Sequence, residues 1–285
     1  HPVSAMFKDL LVPITGVPAD DNAVDAALTL AKAFEAHLSA IEVMSMPLPM
    51  GSPWGAMFES SMSDVYDEQC ASSEVRMKEL KARMSREGVL GEAETVRALF
   101  AVADRVTAQH ARRADLTVLA GAAGGTSEAT AMHIYFNSLL FESGRPVLVV
   151  PPKYQLTTIP KKILVAWRSS PEATRALHDA MPFLRRAEQV DVLAVNPSDG
   201  GVANDDASGL GITTHLARHG IKATLVQRDS GAQSVSDILL DYARESYAQL
   251  IVAGGYGHSR LREWALGGAT RELLIGASIP VFYSP

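Results

Sequence analysis

Residues 250–270 read LIVAGGYGHSRLREWALGGAT: an apolar run, a glycine-rich segment and the beginning of a helical pattern. The run at 250–253 has the length and composition of a buried strand. Glycines follow with the spacing G-x2-G-x9-G, at Gly254, Gly257 and Gly267. A glycine-rich turn between a strand and a helix leaves backbone N–H groups free near the positive end of the helix dipole. The stretch therefore predicts a phosphate-binding loop, with ordinary turn and helix-cap glycines as the alternative.

The two halves of the chain carry the same pattern. Three pairs of segments correspond in the same order: 10–13 with 163–166, 114–121 with 247–254, and 140–148 with 274–282. A correspondence in fixed order indicates a duplicated domain. The segment 151–160, which prolines bound at both ends, predicts the linker. We therefore expect one domain at residues 6–150 and a second at 161–285.

Within each half, apolar strands alternate with amphipathic helices. In the first half, Asp20 and Asp21 are candidate helix caps, ahead of an apolar face formed by Val24, Ala27, Leu28, Ala31 and Phe34. In the second, Ser170-Pro171 predicts a helix start, and Ser234 with Asp237 predicts another that buries Val235, Ile238, Leu239 and Tyr242. The alternation predicts an α/β fold of two tandem doubly wound, mostly parallel five-stranded sheets flanked by helices, Rossmann-like in type. Such sheets bind ligands at the carboxyl ends of their strands.

Composition excludes several classes of function. The chain has 285 residues and a net charge of −6, and its Lys and Arg residues form no cluster, which argues against a nucleic-acid groove. A single cysteine, Cys70, rules out an intrachain disulfide and indicates a reducing compartment. No apolar stretch approaches the span of a bilayer, and no charged and apolar leader precedes Met6. We expect a cytoplasmic protein with neither a membrane nor a nucleic-acid partner.

The duplicated domain and the block Gly254-x2-Gly257-x9-Gly267-Gly268-Ala269-Thr270 resemble the universal stress protein family in its tandem two-domain form. The resemblance covers nearly the whole chain, from Met6 to Pro285. Nucleotide-binding members of that family hold ATP with a G-x2-G-x9-G-[Ser/Thr] motif. The resemblance thus implies a stress-response sensor or regulator that binds ATP in its C-terminal domain, with Mg²⁺ as an open addition.

The resemblance also implies roles by position. Backbone of the glycine motif would contact the phosphates, with His258 beside it, and Thr270 would add a hydroxyl at the helix start. The ends of the first two strands of the second half would line the base and ribose pocket. The implied cofactor-binding residues are Ala166, Trp167, Arg168, Val195, Asn196, Ala253, Gly254, Gly257, His258, Gly267, Gly268, Ala269 and Thr270. No catalytic residue and no metal ligand is implied.

Two positions depart from the family pattern. Gly268 stands where the motif has Ser or Thr, so a hydroxyl donor is missing while the backbone donor remains. Arg168 stands where ATP-binding members commonly carry an Asp that contacts the nucleoside. The exchange removes an acceptor for the base or ribose, although a guanidinium at this position could reach the phosphates.

The first half has lost most of the motif. Gly121-x2-Gly124 remains, but with a one-residue gap His133, Ile134 and Phe136 stand opposite Gly267, Gly268 and Thr270. Thr15 replaces the Asp expected after the first strand. Large side chains would occupy the space that a phosphate needs, so we expect one nucleotide per chain and a structural first half, or one that binds something apolar.

Other segments suggest partners. Because the family associates through its last strand, Val147–Val150 and Val281–Tyr283 are expected to pair as an intrachain pseudo-dimer, with a homodimer left open. Residues 44–62 carry five methionines together with Trp54 and Phe58, which predicts a mobile loop, a lid or a contact surface for a protein partner. His215 and His219 could share a helix face as metal ligands, but without a third ligand nearby a surface helix is favoured.

Three functions remain open at this point. The first is an ATP-binding sensor or regulator, the second a slow ATPase or nucleotidyl enzyme that uses the same site, and the third a nucleotide-free interaction module. Near the glycine block there is no serine nucleophile elbow, no carboxylate pair and no Walker-type Lys. We therefore expect at most weak ATP hydrolysis.

Overall fold

A computed structural model describes residues 6–46, 55–99, 101–122, 126–196, 209–255 and 268–285. The strands of this part of the chain are β1 (Asp9–Ile14), β2 (His37–Met46), β3 (Gly91–Leu99), β4 (Leu116–Ala120), β5 (Val147–Val150), β6 (Lys162–Trp167), β7 (Gln189–Val195), β8 (Ala223–Arg228), β9 (Leu250–Gly254) and β10 (Val281–Ser284). Its helices are α1 (Asp20–Phe34), α2 (Gly55–Arg86), α3 (Ala103–Ala111), α4 (Thr126–Ser143), α5 (Pro171–Asp179), α6 (Met181–Leu184), α7 (Leu210–Arg218), α8 (Val235–Glu245) and α9 (Gly268–Gly276).

These strands form one sheet, in the order β3-β2-β1-β4-β5-β10-β9-β6-β7-β8. Within each half all neighbours are parallel and follow the doubly wound order 3-2-1-4-5. Strands β5 and β10 join the halves as an antiparallel pair, with Val149 opposite Val281 and Val147 opposite Tyr283. The predicted α/β fold of two mostly parallel five-stranded units is therefore confirmed, as is the pairing of their last strands. The pairing turns two sheets into one of ten strands.

Helices cover both faces of the sheet, which explains why the central strands are mainly apolar. Strand β4 is buried at every position, as expected for a parallel strand with helices on both sides. One apolar layer packs beneath α1, α5, α6 and α7, and the other beneath α3, α4, α8 and α9. None of the helices in the described ranges combines the length and apolar character of a membrane span.

The helix starts of the second half follow the predicted capping chemistry. The Ser170 hydroxyl accepts a hydrogen bond from the Ala173 N–H at 3.3 Å, with Pro171 in the first turn. Ser234 and Asp237 form the reciprocal capping box at the start of α8. One predicted core residue of α8 is wrong, because Val235 is 41% exposed and Ser236 is buried instead. The apolar face of α8 therefore begins one residue later than its first valine.

Asp20 does not cap α1, which corrects the prediction for this helix. Ala19 is the N-cap residue, and no side chain bonds to the first turn. The Asp20 carboxylate turns back onto the loop after β1, where it accepts hydrogen bonds from the backbone N–H groups of Thr15, Gly16 and Val17 at 2.8–3.1 Å. The five core residues predicted for α1 are all buried.

The methionine-rich segment is more regular than predicted. Met44 and Met46 belong to β2, and residues 55–62 belong to the 32-residue helix α2. A mobile loop over the whole of 44–62 is therefore wrong at both ends, because backbone hydrogen bonding to β3 continues through Met46. Residues 47–54 lie outside the described ranges.

The linker between the halves is hydrogen-bonded to both of them. The Asn22 amide of α1 donates to the carbonyl of Pro151 at 2.8 Å and to that of Tyr154 at 2.6 Å. The Tyr154 hydroxyl in turn donates to the Gln249 carbonyl, at the start of β9. Residues 151–154 are therefore fixed to the first half and connected to the second.

Aromatic packing extends the contact between the halves beyond the strand pair. Phe183 of α6 lies edge-on to Phe7 and Phe34 of the first half, with centroids 5.2 and 5.5 Å apart. The Arg186 guanidinium lies 4.4 Å from the Phe34 ring centroid and donates to the Ala33 carbonyl at 2.5 Å. On the opposite face, Phe136 of α4 packs against Tyr283 of β10, 4.9 Å between centroids. Both faces of the β5–β10 pair are thus covered by rings from the two halves.

Phe183→Ala should reduce the free energy of unfolding by about 3–5 kcal/mol, because it leaves a cavity where three buried rings meet. The measurement is chemical denaturation followed by circular dichroism. Phe141→Ala is the matched control, since that ring is 54% exposed, and it should cost less than about 1 kcal/mol. Equal losses in the two variants would contradict the assigned role of Phe183.

Candidate functional site

The candidate site lies at the carboxyl ends of β6, β7 and β9. Strand β6 is flanked by β7 on one side and β9 on the other, so the strand order reverses between β6 and β9. In doubly wound sheets a crevice opens at this reversal point and receives the ligand. The loops that begin at Arg168, Asn196 and Gly255 leave the sheet here.

Gly254 is required by close packing at this end of the sheet. A Cβ added to it would lie 2.7 Å from the Ala173 nitrogen and 2.7 Å from the Glu172 carbonyl carbon, both backbone atoms of the first turn of α5. Backbone cannot move away as a side chain can, so no larger residue fits without displacing α5. The first glycine of the motif therefore brings the end of β9 against the start of α5. This role is structural, and it applies with or without a ligand.

The end of the motif coincides with a helix start. Helix α9 begins at Gly268, and Thr270 in its first turn is buried with 7% exposed. Ala269 lies in the same turn. The predicted residues Gly257, His258 and Gly267 lie outside the described ranges. The part of the motif that the structure describes is thus a strand end at Gly254 and a helix start at Gly268.

The last two side chains of β6, the first strand of the second half, lie on opposite faces of the sheet. Ala166 is half-buried against the layer beneath α8 and α9, whereas Trp167 belongs to the opposite layer with only 9% exposed. Successive side chains of a strand point to opposite faces, so the side chains of Ala166 and Trp167 lie in different layers. The Trp167 indole packs in the core, and Arg168 is exposed just beyond the strand.

At the end of β7, the second strand of the second half, Asn196 links two loops by hydrogen bonds. Asn196 has a left-handed backbone with φ of 51°, and its N–H donates to the Arg228 carbonyl at 2.9 Å. Its side-chain amide donates to the Ser230 hydroxyl and accepts from the Ser230 N–H, both at 2.8 Å. The Asn196 amide therefore joins the loops after β7 and β8, beside the half-buried Val195. The sequence did not indicate this pairing, because 34 residues separate the two partners.

Strand register corrects the alignment of the two halves around the glycines. Leu10 of β1 is opposite Leu116, and Ile163 of β6 is opposite Leu250. Equivalent hydrogen bonds run from the Gly121 N–H to the Val150 carbonyl and from the Gly255 N–H to the Ser284 carbonyl. Gly121 therefore corresponds to Gly255, and Ala120 corresponds to Gly254. The predicted one-residue gap does not exist, and the first half lacks even the first glycine of the motif.

Helix α4 of the first half carries side chains where α9 carries the end of the motif. Phe136 is fully buried, as its place opposite Thr270 suggested. Ile134 is 49% exposed. The His133 Nδ1–H donates to the Ala129 carbonyl at 2.7 Å, within the helix.

Buried carboxylates surround the strand ends of the first half, and the sequence reasoning missed them. Besides Asp20, Glu42 of β2 and Asp104 of α3 are buried. Glu42 accepts two hydrogen bonds from Arg76, at 2.6 and 3.2 Å, and Asp104 accepts one from the Ser138 hydroxyl. Burial raises the pKa of Asp20, against the lowering effect of its backbone and Thr15 hydrogen bonds. The sequence contained one indication of these buried carboxylates: Glu42 is a single charged residue in the otherwise apolar segment AIEVM, residues 40–44.

Tyr135 of α4 lies among these carboxylates. Burial raises its pKa to about 12, and the charges of Asp104, Asp20 and Glu42 add to the effect. The carboxyl groups of Asp20 and Asp104, the Glu42–Arg76 ion pair and the Tyr135 phenol thus lie together at this end of the first-half sheet. Among the residues described, no three His, Cys, Asp or Glu side chains are arranged to hold a metal ion.

Gly254→Ala should reduce the free energy of unfolding by about 1–3 kcal/mol, because the new Cβ meets α5 backbone. Gly276→Ala is the matched control. Its Cβ would lie 3.3 Å from the flexible Leu240 Cδ1, and stability should change by less than about 0.5 kcal/mol. Thermal and urea unfolding of both variants measures these two changes in the free energy of unfolding. A stable Gly254→Ala protein would mean that α5 can shift.

Tyrosine ionisation, followed by ultraviolet absorbance, should show a step near pH 12 to which Tyr135 contributes. The raised pKa stabilises the fold below the ordinary tyrosine pKa of about 10, and this contribution is lost as pH rises toward 12. Tyr135→Phe should remove part of the step. Tyr242, whose pKa is also raised to about 12, provides the control, since Tyr242→Phe should leave the Tyr135 contribution in place. An unchanged titration curve for Tyr135→Phe would contradict its placement.

Comparison with known proteins places the chain in a family. A sequence model of the universal stress protein family matches residues 6–151 and 160–284. Universal stress protein Slr1230 of Synechocystis sp. (strain ATCC 27184 / PCC 6803 / Kazusa) is 25% identical over 174 residues, which are 58% of this chain and 56% of that protein's length. The chain thus spans little more than half of this curated relative.

Solved structures with the same fold cover almost the entire chain. A universal stress protein from Archaeoglobus fulgidus DSM 4304 superposes with a TM-score of 0.71 at 15% identity, over 97% of this chain and 95% of its own. A functionally unknown protein, PA1789 from Pseudomonas aeruginosa PAO1, has a TM-score of 0.63 at 14% identity, over 99% and 93%. Because the family match covers both halves and the fold agrees throughout, the chain belongs to the universal stress protein family.

Proposed function

We propose that the chain binds one nucleotide, ATP, in its second half and acts in the cytoplasm as a stress-response sensor or regulator. The site is the crevice at the carboxyl ends of β6, β7 and β9, beside the strand end at Gly254 and the helix start at Gly268. Neither a catalytic role nor a metal ligand of the protein is needed. Mg²⁺ would accompany the phosphates as part of the ligand.

The observation that carries the proposal is the position of the motif in the fold. The glycine segment leaves the sheet at the end of β9, beside the reversal of strand order, and α9 begins at its last glycines. A strand end, a glycine-rich loop and a helix N-terminus are together the arrangement that binds phosphate through backbone N–H groups. Arg168, exposed beyond β6, adds a positive charge at the same edge of the sheet.

The contrast between the two halves supports one site per chain. Where the second half has Gly254, the strand register puts Ala120 in the first half, and the same offset in the sequence puts His133 opposite Gly267. Buried carboxylates and Tyr135 surround the first-half strand ends. We therefore propose a structural role for the first half, with residues 44–62 as the surface for a protein partner.

Calorimetric titration with ATP, with and without Mg²⁺, should give one site per chain. Gly267→Val should weaken ATP binding at least about tenfold, or about 1.4 kcal/mol, because a branched side chain occupies the phosphate space. His133→Val, the same new residue at the corresponding first-half position, is the matched control and should bind like the unaltered protein. Parallel titration with GTP measures how far Arg168 has changed the preference for adenine.

Two results would count against this function. Mass analysis of ligands released from the purified protein that finds no nucleotide, together with no heat of ATP binding, would favour the nucleotide-free interaction module. Equal weakening by Gly267→Val and His133→Val would move the site away from the motif. Timed conversion of ATP to ADP that disappears in Gly257→Val would favour the slow ATPase.

A further inference from the structure

Three histidine rings pack together where α5 meets α7. His178 lies on α5, His215 lies on α7, and His219 is the C-cap residue of α7, four residues after His215. The His215 ring centroid is 5.2 Å from that of His178 and 4.7 Å from that of His219, with ring planes tilted by 50° and 62°. Rings at these distances are in direct contact, so His215 touches a ring of its own helix and a ring of the other.

His215 is poorly placed to carry a charge. Its Nε2 atom has no accessible surface and no hydrogen-bond partner within the described part of the chain. A proton added there would be a buried donor without an acceptor, which is costly. Burial lowers the pKa of His215, and the charges of His219, His178 and Arg218 act in the same direction. Within the described ranges, the charged groups that act on it are thus His219, His178 and Arg218, each of which is positive when ionised.

A hydrogen bond fixes the orientation of the His178 ring. Its Nδ1–H donates to the Thr174 carbonyl oxygen at 2.8 Å, because a carbonyl oxygen can only accept. The ring is therefore held against the half-buried His215 ring, and a positive charge on His215 would lie directly beside it.

The other end of α7 lies against the candidate site. Gly209, the N-cap residue of α7, has φ of 88°, and a Cβ added to it would lie 3.3 Å from Cδ1 of Trp167 and 2.8 Å from Cδ1 of Leu225. Trp167 is the last residue of β6, at the edge of the sheet where the strand order reverses. The nine-residue helix α7 therefore connects the histidine cluster directly with the Trp167 indole.

We propose that the cluster of His178, His215 and His219 is a proton-sensitive contact: a proton taken up at His215 places a positive charge against the two neighbouring rings, and α7 separates from α5 and exposes Trp167. The direction follows from linkage. The folded chain takes up a proton at His215 less readily than the unfolded chain, so this contact contributes stability near neutral pH. The contribution is lost as pH falls from the ordinary histidine range through the folded pKa.

Trp167 fluorescence tests the proposal in the full chain. Trp54→Phe with Trp264→Phe leaves Trp167 as the single tryptophan of the three. Between about pH 8 and about pH 5 we expect a red shift of its emission and a larger quenching constant for acrylamide, with a midpoint below the ordinary histidine pKa of about 6.5. Far-ultraviolet circular dichroism should remain unchanged over the transition.

Histidine variants identify the cause. His215→Leu should abolish the transition, and His178→Gln or His219→Gln should move its midpoint to higher pH, because a repelling charge is removed. His110→Gln, on α3 of the first half, should leave the transition unchanged. A Trp167 signal that does not change with pH, or a transition that persists unaltered in His178→Gln and His219→Gln, would overturn the proposal. The two Gln variants keep the test valid if His215→Leu fails to fold.

An effect of pH on nucleotide affinity rests on the proposed function. The experiments can test the nucleotide site and the proton-sensitive contact separately. If ATP binds at the end of β6, its affinity should fall over the same pH range as the fluorescence change. A protein that shows the Trp167 transition but binds no ATP would contradict the proposed function alone. A protein that binds ATP and shows no transition would contradict the proton-sensitive contact alone.

Discussion

The antiparallel pair of β5 and β10 is the interaction on which the rest of the molecule depends. Strands β5 and β10 are now buried at every position. Without the pairing, each would be an unpaired strand at a sheet edge, and the aromatic rings that cover it would be exposed. With it, the two sheets become continuous, and Phe183 and Tyr283 gain partners from the first half. The same pairing sets the two strand-order reversals on either side of a pseudo-two-fold axis, and so positions both candidate crevices.

The sequence was sufficient where local rules and burial agree. Ser170-Pro171 and the Ser234–Asp237 box begin helices because their side chains bond to N–H groups only a few residues away. The cap prediction for Asp20 was wrong, because a carboxylate at this position can bond either to the first turn of the helix or back to the preceding loop. Residue spacing does not distinguish these two arrangements. The register error at Gly121 has a similar origin: neighbouring glycines look alike in sequence, and only the hydrogen bond to Val150 identifies its counterpart.

The candidate site shows what kind of information a motif contains. Gly254 fits a phosphate loop by its spacing, yet its close approach to α5 is reason enough for a glycine. Asn196 was expected beside the ligand, and the structure shows its amide in two hydrogen bonds with Ser230. A position in a motif predicts location well. The role of a side chain depends on contacts between distant segments, which no local pattern contains.

The linker held by Asn22 has a consequence for how such a protein can change over time. In a dimer of identical subunits every substitution appears twice, once on each side of the axis. Here the two halves are joined by residues 151–160 and remain paired at any protein concentration, because their association is intramolecular. Each half can therefore vary alone, which lets one keep a glycine loop while the other acquires His133, Phe136 and buried carboxylates.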